Sequence, residues 1–334
     1  MKKLFLKVGI FTLLILILPS ISLIINSIDE KNDNNSSNNN TNKDNYIIEL
    51  PNTYKLLIEE SGEILQLTPR EYLKGCMLAN IPADYEPEML KAMATVINTY
   101  GLMLYKNRDT FEDESLNGAD FSDNADKYLK YYSDDKGQEI YGDDFENILQ
   151  NIDAAVEFGI KYALVYNGEL IMPAFHSIST GKTDNSKDIF GEELPYLSSA
   201  ESQNDILSPN YYGSKKMESS EVMGALMRID IDIMLDYDIN TWFKNIKLSP
   251  SGSVLSADCG DKTFTGRELQ NKLGLRSPAF EVVIEDGMFL FKTKGFGHNV
   301  GLSLYGGNKM ALDGKTASEI LTHYYKDIQA LILN

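Results

Sequence analysis

The chain opens with an unbroken apolar run. Residues 8–25 are mostly Leu, Ile, Val and Phe, and no charged side chain interrupts them. The 18 residues of this run are close to the minimum that crosses the hydrocarbon core of a bilayer as a helix. Three lysines precede the run and acidic residues follow it, so the positive-inside bias places the N-terminus in the cytoplasm. The pattern predicts a cytoplasmic tip over 1–7, a transmembrane anchor over 8–27, and a body on the far side of the membrane.

A cleaved signal peptide is the alternative interpretation of the same run. Pro19 and Ser20 can end a shorter apolar core, and a cleavage region would then follow. No small-x-small cleavage pattern stands clearly after the run, so the sequence favours an uncleaved anchor.

The pattern changes twice after the anchor. Residues 28–45 are nearly all Asn, Asp, Ser, Thr and Lys, and they predict a disordered tether, since they cannot bury enough apolar surface to offset the entropy of ordering. Apolar segments recur throughout residues 46–334, which predicts a folded body with a sizeable core. Residues 216–275 are interpreted as a smaller inserted subdomain with Trp242 in its core.

Four helices stand out in the body by their periodicity and caps. Thr68, Pro69 and Glu71 form a capping box with proline at the first helical position. Apolar residues then recur at three-to-four-residue spacing along a second helix. The predicted helices cover residues 71–78, 87 to about 106, 145–158 and 316–323.

The strand predictions rest on short β-rich runs and turn residues. Asn167-Gly168 is a strong two-residue turn between two such runs. Further strands are predicted over 46–50, 54–58, 64–67, 280–284 and 289–292, with a polar insertion over 107–147 and a glycine-rich loop over 294–307. Because helices alternate with hairpins, the sequence predicts an α+β fold.

Charge and cysteine content narrow the class of protein. The formal net charge of −18 disfavours binding to nucleic acid and to anionic lipid headgroups. Cys76 and Cys259 suit an extracytoplasmic bacterial protein that does not rely on disulfides, although a bond between them stays open as an alternative. No Cys/His cluster has zinc spacing, so the sequence predicts no metal site and no cofactor.

Three stretches are candidates for a functional site: residues 71–101, residues 174–183 with 194–199, and residues 294–307. Each has a structural interpretation beside the functional one. His176 among Ser and Thr is either a hydrogen-bonded turn residue or a catalyst. The glycines of the third stretch either permit tight turns or let backbone N–H groups approach a sugar closely. Polar loops of this kind line clefts on rigid scaffolds.

Together the three stretches resemble the family of stage II sporulation protein D, SpoIID, and the related LytB-type amidase enhancers. The resemblance covers residues 68–326 in the family's order and includes the ending ILTHYYKDI. It implies a membrane-anchored lytic transglycosylase that cuts the glycan strands of peptidoglycan during engulfment of the forespore. Its partners would be those strands and other engulfment or cell-wall hydrolase proteins.

The resemblance also places the catalytic residues. In the family a carboxylic acid protonates the leaving oxygen and then assists ring closure as a base. The family motif EYL-x-GVVA-x-EMP reads EYLKGCMLANIP here, so Asn80 occupies the position of the acid. The family lysine is retained as Lys91, and Asn98 replaces the arginine of ARTY. An amide cannot release a proton near neutral pH, and losing a general acid costs roughly 10²–10⁴ in rate.

Three hypotheses follow for the function. The first is a peptidoglycan-directed protein that still binds glycan but has weak or absent lytic transglycosylase activity. The second is an active transglycosylase in which Asp84 replaces the acid, if a continuous helical turn puts it at i+4 from Asn80. The third is a LytB-like modulator of an amidase. The resemblance implies a glycan-binding set from the second and third stretches, namely His176, Ser177, Ser179, Thr180, His298 and Tyr305.

Overall fold

The computed structural model describes residues 48–108 and 113–333. Its helices are α1 (Pro69–Asn80), α2 (Pro87–Asn107), α3 (Asp134–Tyr141), α4 (Phe145–Gly159), α5 (Ser186–Phe190), α6 (Ser219–Met227), α7 (Gly266–Leu273), α8 (Leu304–Leu312) and α9 (Ala317–Tyr324). Its strands are β1 (Tyr54–Ile58), β2 (Glu63–Leu67), β3 (Phe121–Ser122), β4 (Tyr162–Tyr166), β5 (Glu169–Leu170), β6 (Phe175–His176), β7 (Tyr212–Met217), β8 (Phe243–Leu248), β9 (Val254–Cys259), β10 (Lys262–Thr265), β11 (Phe280–Glu285), β12 (Met288–Lys294), β13 (Leu302–Ser303) and β14 (Gln329–Ile332). Helices and small sheets are mixed, so the α+β prediction is confirmed.

The chain divides into two compact units, which are described separately. Unit 1 holds the described residues up to Pro173 together with Ala311–Thr322 and those from Asp327 onwards. Unit 2 holds Ala174–Met310 and His323–Lys326.

Unit 1 is built on helices that pack beside two small sheets. One sheet has the order β2-β1-β3, and the other has the order β14-β4-β5. The rings of Tyr54, Tyr72 and Phe121 pack together with centroids 4.9–5.3 Å apart. Helix α2 is buried along most of its length, so its apolar face forms core as its periodicity predicts.

Unit 2 contains two antiparallel sheets, of order β11-β12-β7 and β10-β9-β8, and a short parallel pair of β6 with β13. A buried apolar cluster joins residues of α6, α7 and both antiparallel sheets around Trp242, Phe289 and Phe291. Trp242 is 6% exposed, which confirms its predicted burial. The extent of an inserted subdomain over 216–275 stays a prediction.

The helix cap and the hairpin turn that the sequence predicts are both present in the structure. The capping box between Thr68 and Glu71 is present at the start of α1, with Pro69 as the first helical residue. Asn167 and Gly168 have φ of 50° and 83°, the left-handed pair that a tight hairpin needs between β4 and β5. The predicted helices and the strands 54–58, 64–67, 280–284 and 289–292 are confirmed within two residues at most ends.

Some predictions were wrong, and others concern residues outside the described ranges. The glycine-rich stretch over 294–307 is not all loop, because α8 begins at Leu304. Residues 48–50 are not in a strand. Cys76 and Cys259 are free and buried, so the alternative disulfide between them is wrong. Within 48–108 and 113–333, no helix has the length and apolarity to cross a membrane, and the predicted tip, anchor and tether over 1–45 lie outside these residues.

Candidate functional site

Asn80 is the last residue of α1, and its side chain is fully buried. Its amide nitrogen Nδ2 donates to the backbone carbonyls of Cys76 and Lys130, at 2.8 and 2.7 Å. Its buried Oδ1 has no hydrogen-bond partner among the described residues. Two carbonyl oxygens therefore face this side chain. A side chain at this position that cannot donate a hydrogen bond would place another acceptor against these two oxygens.

Asp84 lies beyond the end of α1. Ile81 follows Asn80 in an extended conformation, with φ −132° and ψ 142°. This is the conformation that a residue before proline prefers, and Pro82 has no N–H with which to continue the helix. Asp84 is exposed in the turn between α1 and α2. The expectation that it shares a helical face with Asn80 is therefore wrong.

Lys91 is anchored in the first turns of α2. Its ammonium nitrogen is 2.7 Å from one carboxylate oxygen of Glu88. The other oxygen of Glu88 accepts from the backbone N–H of Ala317 at the start of α9, at 2.8 Å. The hydrogen bond from Lys91 holds the pKa of Glu88 below its usual range. Glu88 thus links α2 to α9 through the Ala317 hydrogen bond, and the Lys91 side chain stays one third exposed (33%).

Asn98 closes the C-terminal end of a neighbouring helix. Its Nδ2 donates to the carbonyls of Gly159, Ile160 and Tyr162, at 3.4, 3.3 and 3.0 Å. The last carbonyls of α4 have no partner within the helix, so this amide supplies one. The amides of Asn80 and Asn98 thus have separate sets of partners in unit 1.

In unit 2 two neutral histidines lie side by side. The rings of His176 and His298 have centroids 5.6 Å apart. His176 Nδ1 is 3.1 Å from the carbonyl of Val300 and so carries the ring proton, which leaves Nε2 as a buried acceptor without a partner among the described residues. Burial lowers the pKa of His176 to about 4. Burial, followed by the neighbouring His176, also holds the pKa of His298 well below its usual value.

Glycines bring the third stretch against the second. Gly297 has φ 105°, and a Cβ there would lie 2.7 Å from the Cβ of His176. Gly301 has φ 70°, and a Cβ there would lie 2.1 Å from the carbonyl oxygen of Ala174. Any other residue would collide with the adjacent segment at both positions. The structure therefore supports the close-packing interpretation of these glycines.

The six predicted glycan-binding residues all lie in unit 2, but they differ in exposure. His176, Ser177 and Ser179 are buried, whereas Thr180, His298 and Tyr305 are partly exposed. The backbone N–H of Tyr305 donates to the carbonyl of Ser177 at 3.0 Å, and this bond holds the two stretches together. Direct contact with a ligand is thus available mainly to the three partly exposed side chains.

Comparisons with known proteins agree with these motifs. A sequence model of the SpoIID family, described as stage II sporulation protein, matches residues 59–166. The chain is 32% identical over 259 residues to stage II sporulation protein D of Bacillus subtilis, covering 78% of this chain and 73% of that protein. It is 31% identical over 260 residues to the Bacillus amyloliquefaciens protein of the same name, covering 77% and 72%. The chain belongs to the stage II sporulation protein D family.

A more distant relative lies outside the sporulation D proteins. The amidase enhancer of Bacillus subtilis is 23% identical to this SpoIID-family chain over 301 residues, which cover 76% of this chain and 39% of that protein. The predicted resemblance to both groups is therefore confirmed, with the stronger match to the sporulation proteins.

Two buried aspartates organise the site of this SpoIID-family chain, and sequence reasoning missed both. Asp205 is fully buried and accepts from the hydroxyls of Ser202 and Ser303 at 2.8 and 2.9 Å, as well as from Ser179. Burial raises the pKa of Asp205, and these hydrogen bonds oppose the rise. The serines of AFHSIS were a possible signal, because clustered hydroxyls need an acceptor when they are buried, and Ser179 of this stretch bonds Asp205.

Asp184 is the second of these acceptors. Its carboxylate is 2% exposed and accepts from Ser253 Oγ at 2.5 Å, from Asn299 Nδ2 at 2.7 Å, and from Ser251 Oγ. Asn299 also accepts from the backbone N–H of Thr180 at 3.1 Å. These hydrogen bonds to Asp184 and Asn299 hold the glycine-rich stretch, the Thr180 loop and the 249–253 turn in one geometry.

Proposed function

We propose that this chain is a membrane-anchored protein of sporulation that binds the glycan strands of peptidoglycan and has weak or no lytic transglycosylase activity. Membership of the SpoIID family supports the sporulation role. The observation that carries the catalytic part is Asn80, whose amide donates to two backbone carbonyls at the position where the family resemblance places a carboxylic acid. An amide has no acidic proton that it could transfer to a leaving oxygen near neutral pH.

The surroundings of Asn80 indicate which protonation state a carboxyl side chain would have at this position. A protonated carboxyl could donate to one of the two facing carbonyls, whereas a carboxylate would face two acceptors in a buried position. Both effects favour the protonated form and raise the pKa of such a carboxyl. These surroundings would keep a carboxyl protonated, but the natural residue does not supply one.

Glycan binding rests on unit 2. Thr180 and His298 on loops, and Tyr305 in the first turn of α8, present partly exposed polar or aromatic groups. Hydrogen bonds to Asn299 and from Val300 hold the Thr180 and His298 segments in place. The two histidines are neutral near pH 7 and suit hydroxyl and acetamido groups rather than a strong anion. The chain would act as a scaffold for other wall enzymes or as their partner.

Modulation of an amidase is the second candidate function. The match to the amidase enhancer over 76% of this chain supports it. In that case the protein would bind an amidase more tightly than it binds glycan.

A product assay tests the catalytic part. The purified full-length chain, incubated with glycan strands stripped of peptides, should release little or no anhydro-muramyl product by mass spectrometry. The variant Asn80→Glu with Asn98→Arg should recover some product, whereas the matched variant Asn80→Gln with Asn98→Arg should not, since glutamine has similar size and no acidic proton. Robust product from the natural sequence would overturn the proposal, and its loss in Asp84→Asn would identify Asp84 as the acid.

A sedimentation assay with the same strands tests the binding part. The natural chain should co-sediment with insoluble strands, and His176→Ala with His298→Ala should weaken this binding. Because His176 is buried, circular dichroism of the variant must first show a folded protein. Unchanged binding by a folded variant would mean that these loops are structural only.

A further inference from the structure

A groove of about 770 Å³ opens on unit 2 and does not include the two histidines. One wall is the outer face of the sheet formed by β11, β12 and β7, and the facing wall includes Leu248 and the turn at Ser251 and Gly252. The apolar lining includes Leu290, which is partly exposed on this outer face, and the buried residues Ala279 and Phe280. Concave sites with an apolar floor and a few placed polar groups are the usual form of a small-ligand site.

Tyr212 gives the groove an aromatic platform. It lines the groove and its side chain is 72% exposed, although it is a large aromatic residue. The ring of Tyr211 meets it edge-on, with centroids 4.8 Å apart and an interplanar angle of 85°. The hydroxyl of Tyr211 donates to the carbonyl of Thr180 at 3.0 Å and fixes this support. An exposed, braced ring of this kind offers a flat apolar surface to the apolar face of a sugar.

The opposite wall is held by a buried network. Ser251 donates its hydroxyl to the buried carboxylate of Asp184. Its carbonyl accepts from Thr180 Oγ1 at 2.9 Å. The wall is therefore preformed, which lowers the entropy lost when a ligand binds.

Two lysines, against the single lining carboxylate of Glu281, give the groove its positive charge. Lys292 and Lys294 alternate with buried Thr293 along β12, so both project from the outer face of the sheet. Their nearest carboxylates, those of Glu285 and Glu281, are 3.8 and 3.9 Å away, beyond direct hydrogen-bond distance. All four side chains are at least half exposed, and such pairs are weak. The lysines can therefore turn to an anionic ligand, in a chain whose net charge is −18.

We propose that this groove binds the N-acetylmuramic acid residues of peptidoglycan glycan strands. The sugar ring would lie on Tyr212, and the lactyl carboxylate would contact Lys292 and Lys294. Of the two alternating sugars of these strands, muramic acid carries the carboxylate, so the lysines select it over N-acetylglucosamine. This inference rests on the proposed function and names the sugar that the protein recognises.

The test removes the positive charge of the two lysines and, separately, the negative charge of the lactyl carboxylate. The full-length chain is titrated by calorimetry with soluble denuded strands and with the same strands after the lactyl carboxyl has been reduced to an alcohol. Lys292→Gln with Lys294→Gln should weaken binding of the natural strands about ten-fold. The same double variant should bind the reduced strands as the natural chain does. Lys187→Gln, an exposed lysine of unit 2 outside the groove, is the matched control and should change neither affinity.

The aromatic platform has its own control. Tyr212→Ala should weaken binding of both kinds of strand, whereas Tyr237→Ala should weaken neither, since Tyr237 is fully exposed and does not line the groove. If the lysine and Tyr212 substitutions leave the affinity for glycan strands unchanged, the groove is not the binding site, and the proposed function is unaffected. Absence of strand binding by the natural chain would overturn both.

Discussion

Ser179 donates two hydrogen bonds to one carboxylate oxygen of Asp205, from its backbone N–H at 3.0 Å and from its hydroxyl. The same oxygen accepts from Ser202 Oγ, which also bonds the hydroxyl of Tyr324 at 2.6 Å. The other oxygen accepts from Ser303 Oγ at 2.9 Å. One buried carboxylate thus joins three stretches of unit 2 that are distant in the sequence.

Removing this carboxylate should destabilise unit 2. Asp205→Ala leaves the buried N–H of Ser179 and several hydroxyls without their acceptor, and we expect a loss of roughly 2–4 kcal/mol in the free energy of unfolding. Urea unfolding followed by fluorescence measures it. Glu193→Ala is the control, since Glu193 is exposed and forms an ion pair with exposed Lys187, and it should change stability by less than about 0.5 kcal/mol. Equal effects of the two variants would contradict the organising role of Asp205.

Asn98 should contribute to stability through the end of α4. Asn98→Ala removes the donor shared by the carbonyls of Gly159, Ile160 and Tyr162, and we expect a cost of about 2 kcal/mol. Asn107→Ala on the same helix removes one bond, to Met103 at a partly exposed end, and should cost about 1 kcal/mol or less. If Asn98→Ala proved as mild as Asn107→Ala, the capping role of Asn98 would be wrong.

The burial of His176 predicts a loss of stability in acid. Its pKa is about 4 in the folded protein and about 6.5 in an unfolded chain, so the unfolded state binds more protons between these values. Stability from this group is complete above pH 6.5 and falls as the pH drops towards 4, by about 3 kcal/mol. His176→Asn keeps a donor for the Val300 carbonyl and should make the fall smaller, while the part caused by His298, whose pKa is also lowered by burial, remains. An unchanged profile of unfolding free energy between pH 4 and 6.5 would contradict this.

The apolar run over 8–25 predicts where the protein resides. If it is an uncleaved anchor, the full-length chain should stay in the membrane fraction after a high-salt wash, with its body open to external protease. Immunoblotting of fractions and N-terminal sequencing measure this. A mature N-terminus near residue 28 would support the signal-peptide alternative.

Local structure could be predicted from the sequence because local rules decide it. The capping box of Thr68 and Glu71 and the turn at Asn167-Gly168 depend on residues within a few positions of each other. The apolar positions that recur along α2 were predicted to be core and are buried, although the structure buries the helix on all sides from Ala92 to Leu104. The extended conformation of Ile81 before Pro82 was accessible to the same reasoning, and it ends the helical face on which the Asp84 hypothesis depended.

The sequence by itself determined the helices, the hairpin turns, the family resemblance and the amide at position 80. Tertiary structure alone decided what the polar side chains do. Asp184 and Asp205 are ordinary acidic residues in the sequence, and they become organising acceptors only when folding removes water and surrounds them with hydroxyls from distant segments. Asn98 caps α4, whose end lies about 60 positions away in the sequence, with separations of 61 to 64 residues between the bonded groups. Such contacts depend on which surfaces meet in three dimensions, and periodicity along one chain does not encode that choice.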